Sequence, residues 1–185
     1  MKKHLQHYRP FLSFLVKFFA VYGGLTLLYK WYLSQYDSLI AFQMDGITTS
    51  VANQVQAVAR FFGYECQLEW HTSQSSIKLI LDGHYVSRIV EGCNAVSVVI
   101  LFIAFIVAFS GKWMQTLAYL IIGSILIHLM NVLRIVFLSI ALLHYPEQEP
   151  LLHGVVFPLI IYGFVFGLWV IWVNYFSTYA ERKEK

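Results

Sequence analysis

The sequence contains few charged residues for its length. Only 12% of its 185 residues are Asp, Glu, Lys or Arg, whereas 58% are hydrophobic, and the mean hydropathy is positive. This balance excludes an ordinary soluble domain. The formal net charge of +3 is too small and too dispersed to favour binding to nucleic acid. The sequence therefore predicts an integral membrane protein.

Cysteine is also scarce, and the spacing typical of metal sites is absent from the sequence. No pair of histidines or cysteines stands at the i, i+4 or CxxC spacing of common ligand sets, so we predict no metal and no cofactor. The two cysteines, Cys66 and Cys93, leave one disulfide as a structural alternative. However, Cys66 shares a strand face with Tyr64, Leu68 and Trp70, which is sufficient reason for a buried core residue.

Apolar runs long enough to cross a bilayer predict four transmembrane helices. They cover residues 11–33, 94–110, 115–144 and 151–176. The first is too long for a signal-peptide core and lacks a small-residue cleavage site, so we interpret it as a retained anchor. The predicted fold is an all-α polytopic membrane protein with a small mixed α/β insertion. The predicted domains are 1–33, the insertion 34–92, a transmembrane core 93–176, and a basic tail 177–185.

Most lysine and arginine residues outside the predicted spans fall on one side of this topology, whereas Arg60 and Arg88 lie in the insertion. If the four spans alternate, the cations before the first span, between the second and third, and after the fourth share a side. They are Lys2, Lys3, Arg9, Lys112, Arg182, Lys183 and Lys185. We therefore predict a multi-pass protein of a bacterial cytoplasmic (inner) membrane. Both termini would be cytoplasmic and the insertion extracytoplasmic.

The insertion carries its own secondary-structure signals. Apolar residues repeat at helical spacing at Val51, Val55, Val58 and Phe62. With Thr48 or Thr49 as a cap, this pattern predicts an amphipathic helix. The segments YECQLEW, SIKLIL and HYVSRIV then read as strands, and Asp82-Gly83 stands where a hairpin turn would lie. We predict a meander of two or three strands.

Three chemically reactive side chains fall at one predicted level. Cys93 stands where the insertion ends and the second span begins. Counting about 1.5 Å per residue from Lys112 places Arg134 at roughly 33 Å, the far boundary of the bilayer. The last span begins at that boundary with His153. Helices far apart in sequence are thus predicted to present a cysteine, an arginine and a histidine in one plane.

This combination suits acyl transfer. A cation and an imidazole favour the thiolate form of a nearby thiol, histidine can protonate a leaving amine, and arginine can stabilise an oxyanion. Helical spacing places Ser124, His128 and Asn131 on one stripe with Arg134, facing protein or a cavity. His128 competes with His153 as base, and Asn131 suits hydrogen bonding between helices. The course of the chain after Arg134, whether outward, bent or returning along the interface, is left open.

Each residue also has a structural interpretation. Cys93 could be a small packing residue, Arg134 a side chain that reaches to the interface, and His153 a helix cap. A non-catalytic membrane assembly or export subunit would use the polar stripe only to hold helices together. An acyl-handling membrane enzyme would use Cys93 as a transient carrier. The sequence alone leaves these alternatives open.

Three motifs resemble the exosortase/archaeosortase family, in its short form called exosortase F. They are EGCNAV at the start of one span, NVLRIV late in the next, and HGVVFP opening the last. The similarity covers residues 88–165, and the order cysteine, arginine, histidine is fairly specific. The commoner family form has Ser and Gly after the cysteine, where this chain has Asn94 and Ala95. A role for that serine does not carry over.

The resemblance implies a membrane-embedded, sortase-like cysteine protease or transpeptidase. Cys93 would be the nucleophile, Arg134 the oxyanion stabiliser and His153 the acid and base, with Glu91, Asn94, His128 and Asn131 as supporting residues. The partners would be exported proteins carrying a C-terminal sorting signal, which comprises a short motif, a hydrophobic span and a basic tail. Membrane lipid would be a further partner. The acceptor of the thioester, either water or an amine or hydroxyl of a glycan or lipid, is left open by the sequence. No nucleic acid is expected.

Overall fold

The computed structural model describes residues 2–37, 44–71, 74–109 and 111–177. This part of the chain is mostly helical and carries one three-stranded sheet. The helices are α1 Lys2–Asp37, α2 Gly46–Phe61, α3 Val96–Ala108, α4 Trp113–His144, α5 Glu149–Leu151 and α6 Phe157–Ile171, and the strands are β1 Cys66–Trp70, β2 Ile77–Leu81 and β3 His84–Ile89. The predicted basic tail lies, after Ser177, outside the described residues.

Among the described residues, three helical stretches are long and apolar enough to cross a membrane. They are Phe11–Tyr36, Trp113–His144 and Pro146–Phe176. The second predicted span corresponds to α3, which is apolar but has only 13 residues. A helix of that length is about 20 Å long, less than the roughly 30 Å of a hydrocarbon core. The chain is a polytopic helical membrane protein, and the predicted count of four spans depends on α3.

Helix α4 is longer than a bilayer core requires. Its 32 residues form one uninterrupted helix that extends past Arg134 to His144, about 48 Å in length. The chain after Arg134, whose course the sequence does not decide, therefore continues as part of α4. Its buried residues Val132, Ile135 and Val136 pack against the insertion. Helix α4 thus packs both against the other helices of the bundle and against the insertion.

The predicted amphipathic helix of the insertion is α2, but its cap differs from the prediction. Asp45 caps it, because its carboxylate accepts hydrogen bonds from the backbone N–H groups of Ile47 and Thr48, both at 3.0 Å. Capping at Thr48 or Thr49 is therefore wrong. The fully buried Val51 and Val55 face the sheet and α4.

The sheet is an antiparallel meander in the order β1-β2-β3. Asp82 and Gly83 join β2 to β3 with φ angles of 49° and 77°. Positive φ at both positions is typical of a type I′ turn, which is what the Asp-Gly pair predicts. In β3, Ser87 pairs with Leu79 and Tyr85 with Ile80. Val86 is thus the extra residue of a β-bulge.

Two hydrophobic clusters of buried residues form the core of the described part of the chain. The insertion cluster joins α2, the sheet and the carboxy-terminal half of α4. The bundle cluster joins α3, α4 and α6 around the buried side chains of Phe102, Ile127 and Trp172. Helices α3 and α4 meet closely at Gly123, where an added Cβ would lie 2.7 Å from Cε1 of Phe102. Trp172 also donates a hydrogen bond to the carbonyl oxygen of Phe109 at 3.0 Å, which attaches the end of α6 to α3.

Strand β3 and helix α4 run in opposite directions. The Ser87 and Ser139 hydroxyl oxygens are 3.0 Å apart. Further along β3, beyond its end, the carbonyl oxygen of Cys93 accepts a hydrogen bond from the side-chain amide of Asn131 at 2.7 Å. As the chain advances from Ser87 in β3 to Cys93, the α4 residues it contacts fall from Ser139 to Asn131. The strand therefore leads from the insertion towards the bundle.

Candidate active site

Cys93 is held in a short turn between β3 and α3. It ends the 3₁₀ turn Glu91–Cys93, and its backbone N–H donates to the carbonyl oxygen of Val90 at 2.8 Å. The Asn131 amide fixes the carbonyl group of the same residue from α4. The Cys93 side chain is half-buried. Both backbone polar groups of the cysteine are thus anchored, which limits the positions its sulfur can take.

Asn94, which follows the cysteine, connects three helices. Its side-chain amide donates to the hydroxyl groups of Tyr29 at 2.7 Å and Thr48 at 3.0 Å. Its side-chain oxygen accepts from the backbone N–H of Val96 at 3.0 Å. These bonds join α1 and α2 to the start of α3. Asn94 is therefore a buried structural residue in this fold.

Ala95 has a backbone conformation that suits glycine. Its φ is 61° and ψ is 7°, in the left-handed region, and it is 6% exposed. In the family that the motifs resemble, the commoner form has glycine at this position, two residues after the cysteine. A left-handed L-residue costs about 1–2 kcal/mol relative to glycine. The turn that presents Cys93 therefore carries a local strain in this chain.

We expect glycine to be tolerated at position 95. The strain relieved by Ala95→Gly offsets the roughly 0.8 kcal/mol lost with the buried methyl group, so stability stays the same or rises slightly. Ala104, which is fully buried in an ordinary helical turn of α3, is the matched control. Ala104→Gly should cost about 1 kcal/mol or more. Thermal unfolding in detergent would compare the stability of the two variants. Equal losses of stability would contradict a strained backbone at Ala95.

Cys93, Arg134 and His153 line one cavity of about 580 Å³. The six consecutive residues 85–90, from β3 and the residue after it, form one side. One face of α4, with Ile135, Leu138 and Leu142, forms another. The structure thus brings the three reactive residues into one cavity, as their predicted level implies. The volume lies in the range of ligand and substrate pockets.

Arg134 has hydrogen-bonding capacity to spare in this cavity. Its Nε is buried and has no hydrogen-bond partner among the residues that the structure describes. A buried donor without a partner is unfavourable, by about 1–3 kcal/mol. An oxyanion within the cavity would supply the acceptor. Apolar neighbours such as Ile135 and Leu138 lower the local dielectric constant, which strengthens such a contact.

His153 lies in a π-helical turn at the start of the last helical stretch. The turn covers Leu152–Val156, and the imidazole is exposed. Such single wide turns occur frequently at functional sites. Glu149, one turn earlier, lines the same cavity. Sequence reasoning missed Glu149, although its i, i+4 spacing to His153 places the two side chains on one helix face.

None of the four predicted supporting residues lines this cavity. His128 lines a different groove, and its Nε2 lies 2.6 Å from Oε1 of Gln54. The reason is helical geometry: six residues advance a helix by about 600°, so His128 and Arg134 differ by about 120° around α4. Glu91 lines a separate pocket beside the end of α1 and the start of α2. Asn131 does not line the cavity but supports it through Cys93.

Both cysteines are free thiols in the structure. Cys66 is fully buried in the insertion cluster. Burial raises the pKa of the Cys66 thiol, and the positive charge of Arg60 offsets part of that rise. The thiol form of Cys66 is therefore favoured at neutral pH. The alternative of a Cys66–Cys93 disulfide does not describe this structure.

This contrast predicts selective alkylation. Because the thiolate is the reactive species, the buried Cys66 with its raised pKa should resist a maleimide at neutral pH, whereas the half-buried Cys93 should react. Mass spectrometry should show one label on the folded protein and two after denaturation without reductant. The Cys93→Ala variant should show none when folded. Labels that appear only after reduction would contradict the free thiols.

Within the described residues, no three His, Cys, Asp or Glu side chains come together in the way a metal site requires. The fold and cavity define a polytopic membrane protein with a cysteine, an arginine and a histidine around one pocket. Residues 9–175 match the family model described as transmembrane exosortase (Exosortase_EpsH), so the chain belongs to the transmembrane exosortase family. That family implies, in general, a membrane cysteine peptidase or transpeptidase. No curated protein and no solved structure matches the chain.

Proposed function

We propose that the protein is a sortase-like transpeptidase that cleaves the C-terminal sorting signal of exported proteins. The observation that carries this proposal is the cavity shared by Cys93, Arg134 and His153. Family membership supports cysteine-dependent acyl transfer. The cavity adds a nucleophile, an oxyanion-stabilising cation and a proton carrier at one location, which is the set of groups this chemistry needs.

In the proposed mechanism, His153 takes the proton of the Cys93 thiol. The thiolate then attacks the scissile carbonyl carbon, and the Arg134 guanidinium stabilises the tetrahedral oxyanion. Collapse of this intermediate breaks the C–N bond, and His153 returns the proton to the leaving amine. The substrate's upstream part remains as a thioester on Cys93. A nucleophilic acceptor, either water or an amine or hydroxyl of a glycan or lipid, releases it.

The proposed orientation places the insertion and the cavity outside the cytoplasmic membrane of a bacterium. The cation distribution of the sequence supports this, with α3 as a short second crossing. Asn131, whose amide bonds to Cys93, lies 18 residues along α4 from Trp113, about 27 Å. The cavity would then lie near the outer boundary of the hydrocarbon core. A substrate anchored by one transmembrane helix would present its scissile bond at that level.

The thioester is the species that tests this function. The enzyme would be expressed with an exported reporter that ends in the sorting signal of an exported protein from the same organism. Hydroxylamine at neutral pH attacks thioesters, so part of the cleaved reporter should end in a hydroxamate, detectable by mass spectrometry. Cleavage that yields only a free carboxylate despite hydroxylamine would contradict the mechanism. A fatty acyl group on Cys93 in place of the reporter would favour the acyl-handling alternative.

A further inference from the structure

The cavity runs along the edge of the sheet and not over one of its faces. Neighbouring residues of a strand point to opposite faces. In β3, Ile89 points into the insertion cluster, whereas Arg88 is exposed and bonds to the side chain of Gln74 at 2.7 Å. Both residues nevertheless line the cavity, as do all residues from 85 to 90. Only a groove beside the strand backbone contacts consecutive residues in this way.

The backbone at this edge is available for pairing. Within the described part of the chain, β3 pairs only with β2. Alternate residues of β3 therefore direct their N–H and C=O groups into the groove. The other edge of the sheet is different. There the carbonyl oxygen of Cys66 in β1 accepts hydrogen bonds from Gln56 at 3.0 Å and from Arg60 Nη2 at 2.9 Å, so side chains of α2 cover part of that edge.

We propose that the substrate segment just before the scissile bond binds in the groove as an additional strand paired with β3. Peptides commonly bind exposed sheet edges in this way, with backbone hydrogen bonds giving affinity and side-chain pockets giving selectivity. This inference rests on the proposed function, because it concerns the same substrate. It adds the conformation in which the sorting motif is recognised and the element that recognises it.

The direction of the added strand follows from the fold. Strand β3 leads from the insertion towards the bundle and continues through the turn into Cys93 and α3. A substrate with a C-terminal membrane anchor also runs from outside towards the membrane as it approaches its scissile bond. The two chains therefore run in the same direction, and the pairing is parallel.

The length of the added strand follows from the bulge. The extra residue Val86 interrupts regular pairing, which leaves residues 87–90 as the regular part of the edge nearest Cys93. Four residues span about 13 Å. The recognised motif is accordingly short, and its last residues lie beside Val90 when the scissile carbonyl reaches the cysteine.

Disulfide trapping tests the pairing without turnover. The enzyme background is Cys93→Ala, which keeps the reporter uncut and removes the competing thiol. Cysteine is placed by Arg88→Cys or Val90→Cys, which lie two residues apart on one strand face. Single cysteines are scanned along the motif of a reporter that the wild-type enzyme cleaves. Neighbouring strands lie about 4.7–4.9 Å apart, which is close to the Cβ separation of roughly 3.5–4.5 Å that a disulfide spans.

Parallel pairing predicts a defined register. If Arg88→Cys couples best to one reporter position, Val90→Cys should couple best two positions nearer the membrane anchor. Coupling should exceed by at least tenfold that of Glu69→Cys, an exposed position in β1. Coupling that shifts the opposite way would overturn the parallel arrangement. Coupling without register, or equal to that of Glu69→Cys, would overturn the strand pairing while cleavage by the wild-type enzyme keeps the proposed function intact.

Discussion

Replacing Cys93 by alanine should lower reporter cleavage by at least about 10³-fold, and replacement by serine should lower it nearly as much. Alanine removes the nucleophile. Serine retains the shape but is a far weaker acid than a thiol, so its hydroxyl group supplies much less of an anionic nucleophile near neutral pH. The measurement is the time course of shortened reporter in membranes that contain equal amounts of each enzyme.

The second cysteine provides the matched control. Cys66→Ala removes a fully buried thiol from the insertion cluster, away from the cavity. It should lower stability by about 1 kcal/mol and leave cleavage by the folded protein unchanged. If Cys93→Ala retained wild-type cleavage while remaining folded, the proposed nucleophile would be excluded. Loss of cleavage in both variants with equal loss of fold would instead assign Cys93 a packing role.

Arg134→Lys should lower kcat/KM by about 10²–10³-fold although it preserves the charge. A guanidinium presents several donors in a fixed plane, whereas an ammonium is a compact group on a flexible stem. The buried Nε of Arg134 has no partner among the described residues, and lysine has no donor at that point of its side chain. The loss is of the size seen when one oxyanion-stabilising donor is removed.

Arg60→Lys makes the same chemical change outside the cavity. Arg60 donates to the carbonyl oxygen of Cys66 through both Nε and Nη2, at 3.2 and 2.9 Å. Its replacement should therefore lower the stability of the insertion modestly and leave kcat/KM of the folded enzyme unchanged. Wild-type turnover in Arg134→Lys would mean that Arg134 supplies only charge. An equal fall in both variants would mean that any arginine in this region acts through stability.

Much of the fold follows from signals that act over short stretches of sequence. The Asp82-Gly83 pair predicts its turn because both positions need positive φ, which few residues adopt at low cost. The sequence predicts the wrong cap for α2 because short-range signals there favour more than one residue. Asp45 and Thr48 are both good caps, and the choice depends on Asn94, which is distant in sequence and uses the Thr48 hydroxyl as an acceptor.

The sequence predicts how far along α4 a site residue lies more readily than the direction around the helix axis in which its side chain points. Counting residues along α4 gives the height of Arg134, because the rise per residue is nearly constant. Spacing of three residues drifts by about 60° per step, so His128 leaves the face that Arg134 occupies. No local pattern in the sequence indicates that β3 lines the cavity. It arises from pairing order, which leaves that strand at the edge beside α4.

The bundle cluster has a consequence for the exchange of protons and water. The insertion, the carboxy-terminal half of α4 and the segment around His153 line the cavity, whereas Phe102, Ile127 and Trp172 are packed without exposure in the bundle cluster. We therefore expect protons released at the site, and the acceptor that enters it, to pass only through the insertion side. The reaction rate would then respond to the pH of the compartment on the insertion side and not to that of the other compartment.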